Sequence, residues 1–141
     1  MSRIKIDLPE KHLFTTQLAI RISDINYGKH VGNDSVLTLM HEARLQWLIS
    51  LGYKDETDLA KDTGIIVADA AIVYKNESFY GDTLTIQLYL GEQHKYGFDL
   101  YYLLLNGEKE IARGKTGIIM YNYNVKKVTS IPESMLVYFR D

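Results

Sequence analysis

Asp24, Asn26, His30, Asp34 and Glu42 bring three carboxylates, one amide and one imidazole into a single short stretch, RISDINYGKHVGNDSVLTLMHEARLQWLISLGY, residues 21–53. A carboxylate or imidazole held beside a carbonyl can take a proton from attacking water, and nearby N–H donors can hold the charge that develops on the oxygen. Asn33, Asp34 and Ser35 open the apolar run with side chains suited to a helix N-terminus, so their backbone N–H groups are candidate oxyanion donors. Asp34 is the carboxylate at the mouth of that helix. Glu42 lies eight positions on, about 12 Å deeper at 1.5 Å per residue, so only one of the two can reach a given carbonyl. Each also has a structural use: Asp34 complements the helix dipole, Asp24 can close an Asx turn, and Glu42 can pair with Arg44 and His41.

The elements that must position these groups follow from periodicity. Ile20 and Ile22 alternate with Arg21 and Ser23 as in a half-buried strand, which Asp24 ends. Between Asp24 and Asn33 the chain is dense in Asn and Gly, more than a plain connector needs. Over 34–51, Val36, Leu37, Met40, Ala43, Trp47, Leu48 and Leu51 recur at helical spacing. Leu39, Leu45 and Ile49 widen the stripe until most of the circumference is apolar, which predicts a helix wrapped by other structure and closed by Gly52. A short polar helix is expected at 55–62. After Gly64 the period changes, and residues 65–80, 83–90, 96–105 and 109–124 read as strands rich in Ile, Val, Thr and Tyr. Gly81-Asp82, Gly91 through Lys95, and Asn106-Gly107 are the expected turns.

Composition narrows the function classes. With 141 residues, 46% of them hydrophobic, the chain suits one domain, 1–141, with a sizeable core. A net charge of -2 from interspersed acids and bases argues against a nucleic-acid partner, and no apolar run suits a membrane span or a signal peptide. The absence of cysteine removes thiolate catalysis and Cys-based zinc sites and fits a reducing, cytoplasmic setting. His12 and His94 have no partners at ligand spacing, so no metal site is expected.

One strand, a buried helix and four strands joined by short turns describe an α+β fold: an antiparallel sheet of about five strands wrapped around one long central helix. That order, together with DINYGKHVGNDSVLTLMHEAR, resembles the hotdog-fold thioesterases of the 4-hydroxybenzoyl-CoA type, whose hallmark D-x-D-x-x-G-H-V-N-N precedes a helix carrying E-x-A-R. IARGKTGIIMYNYNVKKVTSIPESM is similar to the family's last strand and terminal I-P-E, so the resemblance frames residues 12–135. It implies an acyl-CoA thioesterase that needs no cofactor beyond its CoA thioester substrate, assembled as a homodimer or a tetrameric dimer of dimers. Two departures stand out. Asn26 occupies the place of the family's second acid, its nucleophile or general base, and Lys29 and Gly32 replace the hallmark Gly and first Asn, while His30, Val31 and Asn33 keep their places.

An amide neither attacks nor takes a proton, so Asp34 is the expected base with His30 assisting, and Glu42 and Asp24 are the other carboxylates to weigh. The alternatives are a non-catalytic acyl-thioester or lipid-binding protein on the same fold, or an acyl-ACP thioesterase or dehydratase. The phosphates of CoA call for cations: Lys95 in the turn before one strand, Lys126 and Lys127 after the last, and Arg113 with Lys115 on one strand face.

Overall fold

The computed structural model describes residues 3–140, and its elements follow in the order β1 (Lys11–Ala19), α1 (Asn33–Ser50), β2 (Thr63–Tyr74), β3 (Thr83–His94), β4 (Gly97–Asn106), β5 (Lys109–Asn122), β6 (Lys127–Val128) and α2 (Glu133–Leu136). The strands form one antiparallel sheet in the order β1-β3-β4-β5-β2, with β6 paired to β5. The sheet therefore has six strands, one more than expected, because Lys127 and Val128 return along the end of β5.

Alternation sets the sheet's faces. Leu84, Ile86, Leu88, Leu100, Tyr102 and Leu104 are buried, while the residues between them are half-buried. Against that apolar face lies α1, with Val36, Leu39, Met40, Ala43, Trp47 and Leu48 buried. Close approach is secured at Gly114, where a Cβ would come within 2.5 Å of the Met40 methyl. Leu37 and Ile49 are 44% and 52% exposed, so the sheet covers one face of the helix instead of wrapping around it as expected. The helix ends as expected: Gly52 has φ +100, its N–H donates to Ile49, and the Tyr53 N–H donates to Leu48, a Schellman closure.

Several boundaries moved for local reasons. The first strand stops at Ala19, and Ile22–Asp24 forms a 3-10 turn, because the Asp24 carboxylate accepts the Arg21 backbone N–H at 2.8 Å and bonds its guanidinium. No helix forms over 55–62. There the Asp55 carboxylate captures the Thr57 N–H and hydroxyl in an Asx turn, and the segment has too few apolar residues to anchor a helix. The strand expected over 65–80 ends at Tyr74, since the Lys75 and Asn76 N–H groups both turn onto the Ile111 carbonyl. β3 continues through Gly91 to His94, leaving Lys95 and Tyr96 as the turn. Gly107 supplies the left-handed residue of the last tight hairpin.

Candidate active site

The loop between β1 and α1 is a miniature hairpin. Ile25 bridges Val31, the Asn26 N–H donates to the His30 carbonyl, and the Lys29 N–H returns to the Asn26 carbonyl, with Lys29 in the left-handed region at φ 67. The Asn26 side-chain oxygen accepts the Gly28 N–H at 2.9 Å, so this amide shapes the turn. Asp24 is buried, its carboxylate held by Arg21, and its carbonyl accepts the Gly32 N–H. Long-range bonds then dock the loop: Val31 donates to the Ser78 carbonyl, and His30 bridges Phe79.

That docking creates a cleft of about 190 Å³ at the N-terminus of α1, lined among others by His30, Asn33, Val36, Tyr74, Glu77 and Ser78. Half-buried His30 places Nδ1 3.2 Å from the Val31 carbonyl. The Ser35 N–H is spent on the Gly32 carbonyl at 3.0 Å. Among the described residues the Asn33 and Asp34 N–H groups have no protein acceptor, as expected for a first helical turn. The Tyr74 hydroxyl donates to the Asn33 carbonyl at 3.2 Å. Burial, with the Asp34 charge added, pushes that hydroxyl above its ordinary range, so Tyr74 stays a donor. Asp34 itself does not line the cleft; its Oδ1 lies beside Gly32, 2.7 Å from where a Cβ there would stand.

The other carboxylates lie apart. Exposed Glu42 accepts the Gln46 side-chain amide at 2.8 Å and lines a separate cleft with Arg21, Thr38 and Leu39. The structural cluster anticipated for Glu42 forms instead around Glu56. One Glu56 oxygen lies 2.7 Å from His41 and the other 3.4 Å from the buried Arg44, which also donates to the Tyr102 hydroxyl.

Of the cations proposed for CoA, Lys115 is held by Asp69 at 2.7 Å and Asp99 at 3.4 Å, and Arg113 is paired with Glu110 and donates to the Ile6 carbonyl. Lys95 stacks over the Tyr96 ring, and Lys126 and Lys127 sit at the β5–β6 turn. Glu77, Ser78, Tyr74 and Lys75 were not anticipated at the cleft. The signal was the non-alternating polar run Lys75-Asn76-Glu77-Ser78, which marks a loop and not the end of a strand. Among the described residues, no three His, Asp or Glu side chains gather as a metal site, and no helix is long and apolar enough to cross a membrane.

The profile of the thioesterase-like superfamily matches residues 20–139, which includes the cleft and the whole sheet beyond β1. The chain belongs to this hotdog-fold thioesterase superfamily. Solved structures agree in fold. A Pseudomonas aeruginosa protein matches with a TM-score of 0.84 at 20% identity, over 92% of this chain and 100% of its own. A 1,4-dihydroxy-2-naphthoyl-CoA thioesterase from Synechocystis matches with a TM-score of 0.80 at 20% identity, over 89% and 93%. A gentisyl-coenzyme A thioesterase matches with a TM-score of 0.81 at 21% identity, over 90% and 100%. No curated protein sequence gives a significant match.

Proposed function

We propose that this protein hydrolyses an acyl-CoA thioester to the free acid and CoA, as a homodimer and without an added cofactor. The observation that carries the reading is the cleft at the start of α1, lined by His30, Tyr74 and Asn33 with its unpaired N–H, with Asp34 the next residue along the helix and its charge felt at Tyr74. Asp34 takes a proton from water, whose oxygen adds to the thioester carbon. The Asn33 and Asp34 N–H groups hold the charge on the carbonyl oxygen. Collapse of this intermediate breaks the C–S bond, and the departing thiolate takes the proton back through His30. The acyl group is small: a cavity of about 150 Å³ already holds benzene, so about 190 Å³ suits a ring-sized or short chain.

A second reading, an acyl-thioester-binding protein without turnover, is favoured by one observation. Asn26 stands where the family carries an acid, and its oxygen is committed to Gly28. Purified protein assayed against short, aromatic and long acyl-CoAs, with free thiol detected, separates the two. Thiol release from short or aromatic substrates is expected, and tight acyl-CoA binding with no thiol release from any of them would overturn the enzyme reading.

A further inference from the structure

A second concavity opens beside the candidate active site, and its charge is opposite to that of the whole chain. About 660 Å³ in volume, it lies where residues 3–7 cross the ends of β2 and β5, and it is lined by Arg3, Lys5, Asp7, Lys75 and Arg113 with Ile4, Ile6 and Val73 between them. Lys75 also lines the cleft that contains His30, so one side chain borders both spaces.

The groove is built, not incidental. Arg113 donates to the Ile6 carbonyl at 2.9 Å and Arg3 donates to the Tyr74 carbonyl at 2.9 Å, two contacts that pin the N-terminal segment across the sheet. Glu110 pairs closely with Arg113 and holds it in place, which leaves that guanidinium as a strut. Lys75 is 3.6 Å from Glu110, and Lys5 is 3.8 Å from Asp7, loose contacts between side chains that solvent reaches. Four cations thus face two carboxylates in a chain whose net charge is -2.

We infer that this groove is the phosphate subsite for the carrier of the thioester: Lys5, Lys75 and Arg3 receive the diphosphate and ribose phosphate of CoA, and Arg113 positions the segment that carries two of them. This rests on the thioesterase reading above and adds where the non-reacting part of the substrate binds. The volume falls within the range of small-molecule sites, and ammonium groups serve as point-charge phosphate ligands. A concave, cation-lined space next to the reacting cleft fits a nucleotide better than the broad face of an acidic carrier protein.

The test is the doubly substituted Arg3→Gln/Lys5→Ala protein, both positions lying outside the cleft that contains His30, assayed with a hydrolysable acyl-CoA and with the matching acyl-pantetheine, which has no phosphates. KM for the acyl-CoA should rise by at least about tenfold, the scale of losing charge-assisted contacts, with kcat within twofold. KM for the acyl-pantetheine should not move. Wild-type kcat/KM for the acyl-CoA should also fall as salt is raised, more steeply than that of the double variant. An acyl-CoA KM within twofold of wild type overturns the groove while leaving the thioesterase reading intact. So does a loss confined to acyl-ACP. If wild type hydrolyses no thioester, the thioesterase reading fails by itself, and calorimetry with free CoA judges the groove: a Kd weakened by about tenfold in the double variant supports it, and an unchanged Kd overturns it.

Discussion

The side-chain oxygen of Asn26 accepts the Gly28 backbone N–H at 2.9 Å, closing the turn that carries His30 to the cleft. A carboxylate at this position would accept the same bond, so Asn26→Asp should fold with a melting temperature near wild type. It should also keep at least wild-type turnover, because it returns the acid that the family hallmark carries. Asn26→Ala loses the acceptor and should cost about 1 kcal/mol, the usual net value of one hydrogen bond. Thermal melts beside thiol-release rates check both. An Asn26→Asp protein that melts well below wild type would show that the turn needs the amide's donor as well.

Asp34 is distinguished from the other carboxylates by where it acts. Its charge reaches Tyr74 on the cleft wall, whereas Glu42 is bonded to Gln46 beside another cleft and Asp24 is buried against Arg21. Asp34→Asn should lower turnover by at least about a hundredfold, the scale of a positioned base, and leave the fold intact. His30→Ala should lower it too, and Glu42→Gln should not. Glu77, the exposed carboxylate on the opposite rim, is the necessary comparison. Should Asp34→Asn remain active while Glu77→Gln does not, the base comes from the β2–β3 connection.

That comparison also shows what a single sequence could reveal. The helix of α1, its Gly52 closure and the hairpin at Gly107 were legible because each rests on neighbours in the chain: a helical stripe, a left-handed residue, a short polar turn. The far wall of the cleft was not. Val31 meets Ser78 and His30 meets Phe79 across nearly fifty residues, and no local periodicity reports a contact of that separation. The same holds for Glu56, which lies in a stretch with a helical composition yet turns inward to meet Arg44.

Arg44 is buried on the helix, and its charge is answered by Glu56 while its second branch donates to Tyr102, whose hydroxyl in turn lies 2.7 Å from Thr116. Burial raises the Tyr102 hydroxyl above its ordinary range, so it remains protonated and available to this chain of bonds. Glu56→Gln should destabilise by about 3 kcal/mol, the lower end of what removing one partner of a buried ion pair costs. Tyr102→Phe removes one charge-assisted bond from Arg44 and a neutral one with Thr116 but leaves Arg44 paired with Glu56, and should cost about 2 kcal/mol. Denaturant melts order the two. Tyr102→Phe as damaging as Glu56→Gln would mean that the hydroxyl, not the carboxylate, holds Arg44.

β2 occupies one edge of the sheet, Ile66 and Val67 on it are 37% and 43% exposed, and Val67 lines a groove together with Leu37 of the helix. Among the described residues, its outward backbone groups between Ile66 and Val73 have no partner. An exposed apolar edge strand is a template for pairing, so the proposed homodimer is expected to form there, one β2 beside the other, covering Leu37 at the same time. Light scattering at micromolar concentration should give the mass of two chains. Val67→Lys places a charge on the joined edge and should yield a monomer, whereas Val137→Lys, an equally exposed position after α2, should leave the dimer intact. A wild-type monomer at that concentration, or a dimer indifferent to Val67→Lys, would remove β2 as the contact and leave the exposed Leu37 face without its cover.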